Sequence, residues 1–145
     1  HPKVKSMVTI TKGECYGRPL LEYTMTGKPV VASNWSGHKD FLPMDKAIMI
    51  GGKLTEVDES STNDFILKTS KWFTANYGEV VEVFKVVYRD YDTFLEKSES
   101  LMVENRENFS LESITEKFKM IMEPLITEKP KQVKLTLPQL KKIEK

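Results

Sequence analysis

Residues 13–33 read GECYGRPLLEYTMTGKPVVAS, and this stretch predicts a loop, a helix and a strand in succession. A loop comes first, and a helix begins after Gly17. Pro19 is tolerated there because the N–H groups of a first helical turn have no intrahelical partner. Gly27 suits the left-handed position that ends a helix. The apolar run 29–33 is typical of a buried parallel strand.

The flanking segments extend this pattern into a sheet. Residues 3–11 alternate in polarity and are rich in β-branched side chains, which predicts a strand before the loop. After a turn, residues 38–42 are expected to form a short helix, and residues 47–50 another buried strand. Strands and helices that alternate in this way are typical of an α/β fold with a parallel sheet, here of about three strands.

The second half of the chain predicts mainly helices. Residues 53–63 are polar and are expected to be irregular, whereas residues 63–73 predict a helix. Trp72 and Phe73 are expected in the core. From Glu79 onward, apolar residues recur every three or four positions, so they line one face of a single helix: Val80, Val83, Phe84, Val87, Tyr91 and Phe94. Ser110 is a favourable N-cap for a second amphipathic helix, whose apolar residues are Leu111, Ile114, Phe118, Ile121 and Leu125.

Composition narrows the class of protein. The chain has 145 residues, of which 39% are hydrophobic and 30% charged, as in a globular domain with its own core. Its single cysteine, Cys15, excludes an internal disulfide, and with only two histidines it does not supply a zinc site. No apolar run approaches membrane-spanning length, and no secretory signal is visible. We expect a cytoplasmic protein and, because the chain begins with His1 rather than Met, a piece of a longer one.

Charge divides the chain into two parts. Residues 129–145 carry six Lys and one Glu, a net charge of +5, whereas residues 1–128 carry 16 basic and 20 acidic residues, a net charge of −4. We therefore predict a domain over 1–128 and a basic tail over 129–145. Nucleic-acid-binding domains carry their basic residues on a folded face, so no nucleic acid is expected as a partner. The tail is interpreted as a solvated extension, or as a strap that docks on another domain or chain.

Two glutamates flank the predicted start of the first helix. Glu14 lies in the loop at the carboxyl end of a strand, where open α/β sheets bind ligands, and Glu22 lies one turn inside the helix. A helix N-terminus offers N–H groups and a positive dipole end to a phosphate. Carboxylates accept hydrogen bonds from sugar hydroxyls. A ligand with hydroxyls at both ends and phosphates between them fits this layout, although on spacing alone two surface acids are the simpler interpretation.

Residues 13–40 resemble the donor-binding segment of retaining GT-B glycosyltransferases of the glycogen-synthase and family-four type. The family pattern runs E-G-F-G-x-P-x-x-E, then G-x-P-V-V-A-S, then G-G-x-x-E. The residues that match the first block are Glu14, Gly17, Pro19 and Glu22, and those that match the second are Gly27, Pro29, Val30, Val31, Ala32 and Ser33. Residues 36–40, SGHKD, stand in the place of the third block. Cys15 replaces a glycine of the pattern, and Asp40 replaces its last glutamate.

The resemblance implies a partial Rossmann-like domain that binds a nucleotide sugar such as a UDP-, GDP- or ADP-hexose. It implies that Glu14 is catalytic and contacts the donor hexose near its reacting carbon, and that Glu22 holds the ribose hydroxyls. Backbone amides of residues 15–17 would face the sugar and the diphosphate. The implied donor-binding residues are Cys15, Tyr16, Gly17, Arg18, Glu22, Ser36, Gly37 and His38. The resemblance implies neither a metal nor another cofactor.

The resemblance also implies that this chain is one part of the enzyme. A complete enzyme of the family has two Rossmann-like domains, and an N-terminal acceptor domain would complete the active site. The first strands of the donor domain, which carry basic partners for the diphosphate, would also lie outside this chain. Because electrostatic stabilisation is a large part of such catalysis, we expect this chain alone to have no turnover.

Other interpretations remain open at this point. One is a non-catalytic binding or assembly module that forms a homodimer through the exposed edge of its first strand. Another is a different doubly wound phosphate-binding protein. Single residues also have plainer interpretations: Cys15 as a packing residue, Arg18 as a surface charge, and His38 as a polar turn or helix-capping residue.

Overall fold

The structure, a computed structural model, describes residues 1–126, so the predicted tail 129–145 lies outside the described residues. The strands within this range are β1 (Met7–Thr9), β2 (Val30–Ser33), β3 (Ile48–Ile50), β4 (Gly52–Glu56) and β5 (Lys71–Ala75). The α-helices are α1 (Arg18–Thr24), α2 (Tyr77–Arg89), α3 (Tyr91–Asn108) and α4 (Leu111–Met122). Short 3-10 helices cover Gly37–Asp40, Glu59–Ser61 and Glu123–Leu125. None of the helices found in this range is long and apolar enough to cross a bilayer.

A three-stranded parallel sheet confirms the predicted α/β fold. Its order is β1-β2-β3, with Val8 opposite Val31 and Ala32 opposite Met49. The helix between β1 and β2 begins after Gly17 and is followed by Gly27, as the sequence predicts. Gly27 has a φ of 68°, and its N–H donates to the Thr24 carbonyl at 3.0 Å.

The central strand β2 is buried on both faces. Val30 and Ala32 share a core cluster with Leu20 of α1 and Leu101 of α3. Val31 belongs to a second cluster, with members from β3, β5 and α2: Ile50, Phe73, Ala75 and Val80. Because successive side chains of a strand point to opposite faces, α1 and α3 cover one face of the sheet and α2 covers the other. This two-sided burial explains why residues 29–33 carry no charged side chain.

The hairpin formed by β4 and β5 corrects the prediction for this region. Residues 53–63 are not irregular throughout, and the helix predicted for 63–73 is wrong, because Lys71–Ala75 pairs antiparallel with β4. The Asn63 amide donates to the Ile66 carbonyl at 3.1 Å, and the Asn63 side chain accepts hydrogen bonds from the Phe65 and Ile66 amides, so the chain forms a closed turn here and no helix continues from it. Phe73 and Ala75 then alternate into the core, as a strand allows.

The single helix predicted from Glu79 to Phe94 is also wrong, because the chain forms two helices that meet at Asp90. Asp90 has non-helical angles, φ −112° and ψ 33°. A hydrogen bond from the Arg89 guanidinium lowers the pKa of the Asp90 carboxyl. α2 and α3 cover opposite faces of the sheet, so one straight helix does not fit and the chain changes direction here.

Helix α4 forms where the sequence predicts it. The Ser110 hydroxyl accepts a hydrogen bond from the Ser113 amide at 3.1 Å, which confirms the N-cap. The apolar face, however, is not in the core: Leu111 is 79% exposed and Ile121 is 65% exposed. The predicted helix is therefore present, and its apolar side faces outward from the described part of the chain.

Candidate functional site

The three parallel strands end at one edge of the sheet, and two loops meet there. We call residues 11–17, which follow β1, the first loop, and residues 34–37, which follow β2, the second loop. Crevices outside the carboxyl ends of parallel strands are the usual ligand sites of open α/β sheets. Most of the predicted site residues lie in these two loops.

Hydrogen bonds join the two loops directly. The Gly37 amide donates to the Cys15 carbonyl at 3.0 Å, and the Ser36 hydroxyl lies 3.1 Å from the same oxygen. The Ser36 hydroxyl also donates to the Glu14 carbonyl. The structure therefore brings Glu14, Cys15, Ser36 and Gly37 together, although about twenty residues separate the two loops in sequence.

This close contact depends on backbone that few residues tolerate. A Cβ atom added to Gly37 would lie only 2.5 Å from the Cys15 carbonyl oxygen. Gly17 has a φ of 80°, in the left-handed region, and an added Cβ would lie 3.3 Å from the Cβ of His38. Ser36 has a φ of 75° without being glycine. Such a conformation persists only where contacts enforce it, and its bonds to the first loop do so.

Glu14 and Cys15 lie at the outer side of the first loop. Glu14 is half-buried, and its Oε1 accepts a hydrogen bond from the Cys15 amide at 3.2 Å. The Cys15 thiol is free and exposed. The Glu14 carboxylate keeps further acceptor capacity, since each carboxylate oxygen accepts more than one hydrogen bond. The packing interpretation of Cys15 does not fit its exposure.

Arg18 and Glu22 lie on the outer surface of α1. They form an ion pair with an N–O distance of 3.8 Å and side chains that are 82% and 71% exposed. Exposed pairs of this kind contribute at most about 1 kcal/mol, so both side chains are free to exchange partners. The structure thus places a cation and a carboxylate one helical turn apart, directly after the first loop.

The start of α1 offers fewer free amides than a long helix would. Pro19 has no N–H, and the Leu20 amide donates to the Gly17 carbonyl at 2.9 Å. α1 has only seven residues, so few peptide dipoles add along it, and no side chain caps its N-terminus. The backbone amides that can bind an anion at the start of α1 are therefore those of residues 16–18.

Tyr16 connects the first loop to the core. Its ring packs against Phe41 with ring centroids 5.2 Å apart. Burial raises the pKa of the Tyr16 hydroxyl, and the nearby Asp40 carboxylate raises it further. The hydroxyl therefore stays neutral at physiological pH and can both donate and accept hydrogen bonds.

His38 is a buried residue behind the loops. Its side chain is 1% exposed, and its Nε2 lies 2.6 Å from the Ser33 carbonyl. Since a carbonyl only accepts, Nε2 is the donor of this hydrogen bond. Within residues 1–126, Nδ1 has no hydrogen-bond partner. His38 lies in the 3-10 helix that follows the second loop. Its hydrogen bond to Ser33 therefore holds this segment against β2.

The β4–β5 hairpin borders this edge of the sheet, and the sequence interpretation missed its contribution. The Phe73 amide donates to the Lys12 carbonyl at 2.9 Å, and the Lys12 ammonium lies 3.9 Å from the centre of the Trp72 ring. Trp35 of the second loop stacks on Phe73 at a centroid distance of 5.8 Å. The alternation of KWFTA over residues 71–75 was the available signal for this strand.

A separate cleft of about 430 Å³ opens at the carboxyl end of β3. Its lining residues are Gly51, Gly52, Lys53, Thr74, Ala75, Asn76 and Glu79. The Glu79 carboxylate inside it accepts a hydrogen bond from the Gly51 amide at 3.0 Å. None of the predicted site residues lines this cleft. In the described range, no group of three or more His, Cys, Asp or Glu side chains is arranged to hold a metal ion.

A search of protein families, of curated proteins and of solved structures found no match to the chain. The fold and the loop contacts define the class of protein: a small α/β fold with a parallel sheet and two loops joined by hydrogen bonds at its carboxyl edge.

Proposed function

We propose that the chain is the C-terminal, donor-binding part of a retaining glycosyltransferase of the GT-B type, which moves a hexose from a nucleotide sugar to an acceptor. One observation carries the proposal: the first and second loops are hydrogen-bonded at the carboxyl edge, with glycine at the point of closest approach. The loop residues of the motif, Glu14 and Cys15 in the first loop and Ser36 and Gly37 in the second, are thus held side by side, as a donor site at this edge would require. A cytoplasmic location is part of the same proposal.

The proposed roles follow from the chemistry of each group. Glu14 contacts the donor hexose with the acceptor capacity that its bond to the Cys15 amide leaves free. The amides of residues 16–18 face the diphosphate, since the Cys15 amide is bonded to the Glu14 carboxylate. Ser36 and Gly37 act by holding the second loop against the first, and His38 acts by fixing the second loop to β2.

Arg18 and Glu22 bind the nucleotide by exchanging partners. In the structure they neutralise each other through a weak, exposed ion pair. A nucleoside diphosphate offers an anion to Arg18 and a vicinal diol to Glu22. Charge-assisted bonds to both groups would replace one solvent-screened pair, which favours binding. This exchange gives the Arg18 cation the role of a diphosphate partner.

An acceptor domain is the proposed partner of this part. The apolar face of α4 is exposed over its whole length, from Leu111 to Ile121. A face of this size that no described residue covers is typical of an interaction surface. Either the acceptor domain or the basic tail, acting as a strap, would bury this face. The acceptor domain would also complete the active site.

Substitution of Glu22 tests the donor site. Glu22→Gln removes the charge that accepts the ribose diol, so we expect affinity for the preferred nucleotide among UDP-, GDP- and ADP-glucose to fall about tenfold or more. Isothermal titration calorimetry measures this. Glu116→Gln is the matched control, because Glu116 is 65% exposed and is ion-paired with Lys119 on a helix surface. If both variants bind the nucleotide sugar with equal affinity, Glu22 is not part of the donor site.

The chain alone is expected to bind a donor without turning it over. The acceptor side and further cations for the leaving nucleotide would come from the acceptor domain and preceding strands, and electrostatic stabilisation of that leaving group is a large part of catalysis. Incubation of the 145-residue chain with each nucleotide sugar and simple sugar acceptors checks this by nucleotide release. Release above the rate of a heat-denatured sample would contradict the expectation.

A second candidate is a non-catalytic assembly module. Among the described strands, β1 pairs only with β2, so its other edge offers unpaired N–H and C=O groups. This candidate gains support if none of the three nucleotide sugars binds to the wild-type chain.

A further inference from the structure

Trp35 of the second loop is an exposed aromatic residue whose ring rests on a fixed support. The indole lies parallel to the Phe73 ring, with an interplanar angle of 7° and ring centroids 5.8 Å apart. Parallel rings at this distance are offset, so Phe73 covers only part of the indole. Phe73 is buried in the core, whereas Trp35 is 38% exposed. The indole therefore presents apolar surface to solvent at the carboxyl edge of the sheet.

Hydrogen bonds hold the backbone on both sides of Trp35. The preceding amide, that of Asn34, donates to the Ile50 carbonyl at 2.8 Å. The hydroxyl of the following residue, Ser36, donates to the Glu14 carbonyl of the first loop. Trp35 is thus held in position before a ligand arrives, which lowers the entropic cost of binding a ligand to it.

These contacts place Trp35 beside the Glu14 end of the proposed donor site. One peptide unit and the Ser36 hydrogen bond connect the two residues, so their α carbons lie no more than about 11 Å apart. The two side chains are therefore close enough to contact the same ligand. Glu22, the proposed ribose partner, lies further along the chain, on the outer surface of α1.

A hexose offers two kinds of surface to a binding site. Its hydroxyls form the rim of the ring and bind acceptors such as the Glu14 carboxylate. Its C–H groups form flatter faces, which pack on apolar, planar side chains, and ligand sites combine such side chains with a few polar groups. Of the two aromatic residues in the joined loops, Tyr16 packs against Phe41 and Trp35 is exposed. Trp35 therefore supplies an apolar contact surface beside the acceptor.

We propose that Trp35 is a donor-binding residue, which stacks on one face of the hexose while Glu14 binds the hydroxyls of the same sugar. This inference rests on the proposed function, because the hexose reaches the loops as part of a nucleotide sugar. Trp35 then contacts the sugar, whereas Arg18 and Glu22 contact the nucleotide. Loss of the indole should weaken binding of the nucleotide sugar and leave binding of the free nucleoside diphosphate unchanged.

Trp35→Leu tests the stacking in the full chain. UDP, GDP, ADP and their glucose conjugates are titrated into wild type and variant by calorimetry. For the preferred nucleotide, we expect the Kd of the glucose conjugate to rise about tenfold and the Kd of the free diphosphate to change less than about twofold. Trp35→Phe keeps a planar ring and should retain most of the affinity.

Trp72 provides the matched control. It neighbours Phe73 on β5, so its side chain points to the opposite face of the hairpin, where the Lys12 ammonium lies 3.9 Å from the ring centre. Trp72→Phe should leave both affinities unchanged. The chain has only two tryptophans, so this variant also makes Trp35 the sole indole. Its fluorescence should change when the nucleotide sugar binds and change less with the free diphosphate.

The two ligands separate failure of this inference from failure of the proposed function. If Trp35→Leu weakens binding of both ligands equally, or of neither, the indole does not contact the hexose and the inference is wrong, while nucleotide binding still supports the proposed function. A wild type that binds neither ligand would overturn both. If Trp35→Leu does not fold, the fluorescence of Trp72→Phe decides, because that variant keeps the Trp35 indole in place.

Discussion

Gly37→Ala is expected to lower the free energy of unfolding by about 1–3 kcal/mol and to abolish donor binding, because the two loops no longer fit together. The new methyl carbon would lie 2.5 Å from the Cys15 carbonyl oxygen. That oxygen accepts a hydrogen bond from the Gly37 amide at 3.0 Å, so it cannot withdraw without losing this bond. Urea unfolding followed by circular dichroism measures the loss of stability, and calorimetry measures the loss of binding.

Gly13→Ala is the control for the loop experiment. Gly13 also belongs to the first loop, but an added Cβ meets no atom within 4 Å, so its stability should change by less than about 0.5 kcal/mol. If both alanine variants unfold at the same urea concentration, the close contact between the loops is not a stabilising feature. If Gly37→Ala loses stability but still binds a nucleotide sugar, the joined loops are not the donor site.

Asn105→Ala is expected to lower the free energy of unfolding by about 2–4 kcal/mol, since it removes two buried hydrogen bonds and leaves a cavity. Asn105 is 3% exposed, and its Nδ2 donates to the Thr24 hydroxyl at 3.0 Å and to the Phe41 carbonyl at 3.1 Å. These bonds tie α3 to α1 and to the segment after the second loop. Both acceptors would stay buried without this donor.

Asn108→Ala tests whether burial causes this effect. Asn108 lies on the same helix and is exposed, so its replacement should change stability by less than about 0.5 kcal/mol. Thermal or urea unfolding of both variants gives the comparison. An Asn105 variant as stable as the Asn108 variant would show that the buried amide does not hold the layers together.

Local patterns in the sequence predict the first half of the fold well. Gly17 and Gly27 flank α1 because glycine tolerates the left-handed backbone there, and Pro19 suits its first turn because no N–H is needed at that position. The apolar run 29–33 predicts a strand that is buried on both faces, and β2 is such a strand. These features depend on neighbouring residues, so the sequence alone contains them.

The predictions for the second half of the chain are wrong where contacts between distant segments determine the structure. KWFTA over residues 71–75 pairs with β4 and packs on β2, which overrides the helical interpretation of the preceding residues. The break at Asp90 arises because α2 and α3 pack on opposite faces of the sheet. A periodic apolar pattern continues across Asp90, so periodicity alone cannot locate the break.

The candidate site, too, is predicted in part from local sequence and revealed in part only by the structure. The sequence names Glu14, Gly17, Glu22 and Gly37 through their spacing and their resemblance to a donor segment, and their roles remain predictions. The structure adds that Gly37 touches the Cys15 carbonyl, that Glu22 pairs with Arg18, and that His38 is buried.

Composition, turn residues and hydrophobic period thus specify an α/β chain with a glycine-rich loop between its first strand and first helix. These properties arise from steric limits on the backbone and from burial of nearby apolar side chains. The joining of the two loops, the hairpin beside them and the break between α2 and α3 depend on the packing of segments that are far apart in sequence. Only the folded chain decides those features, because each requires two surfaces to meet.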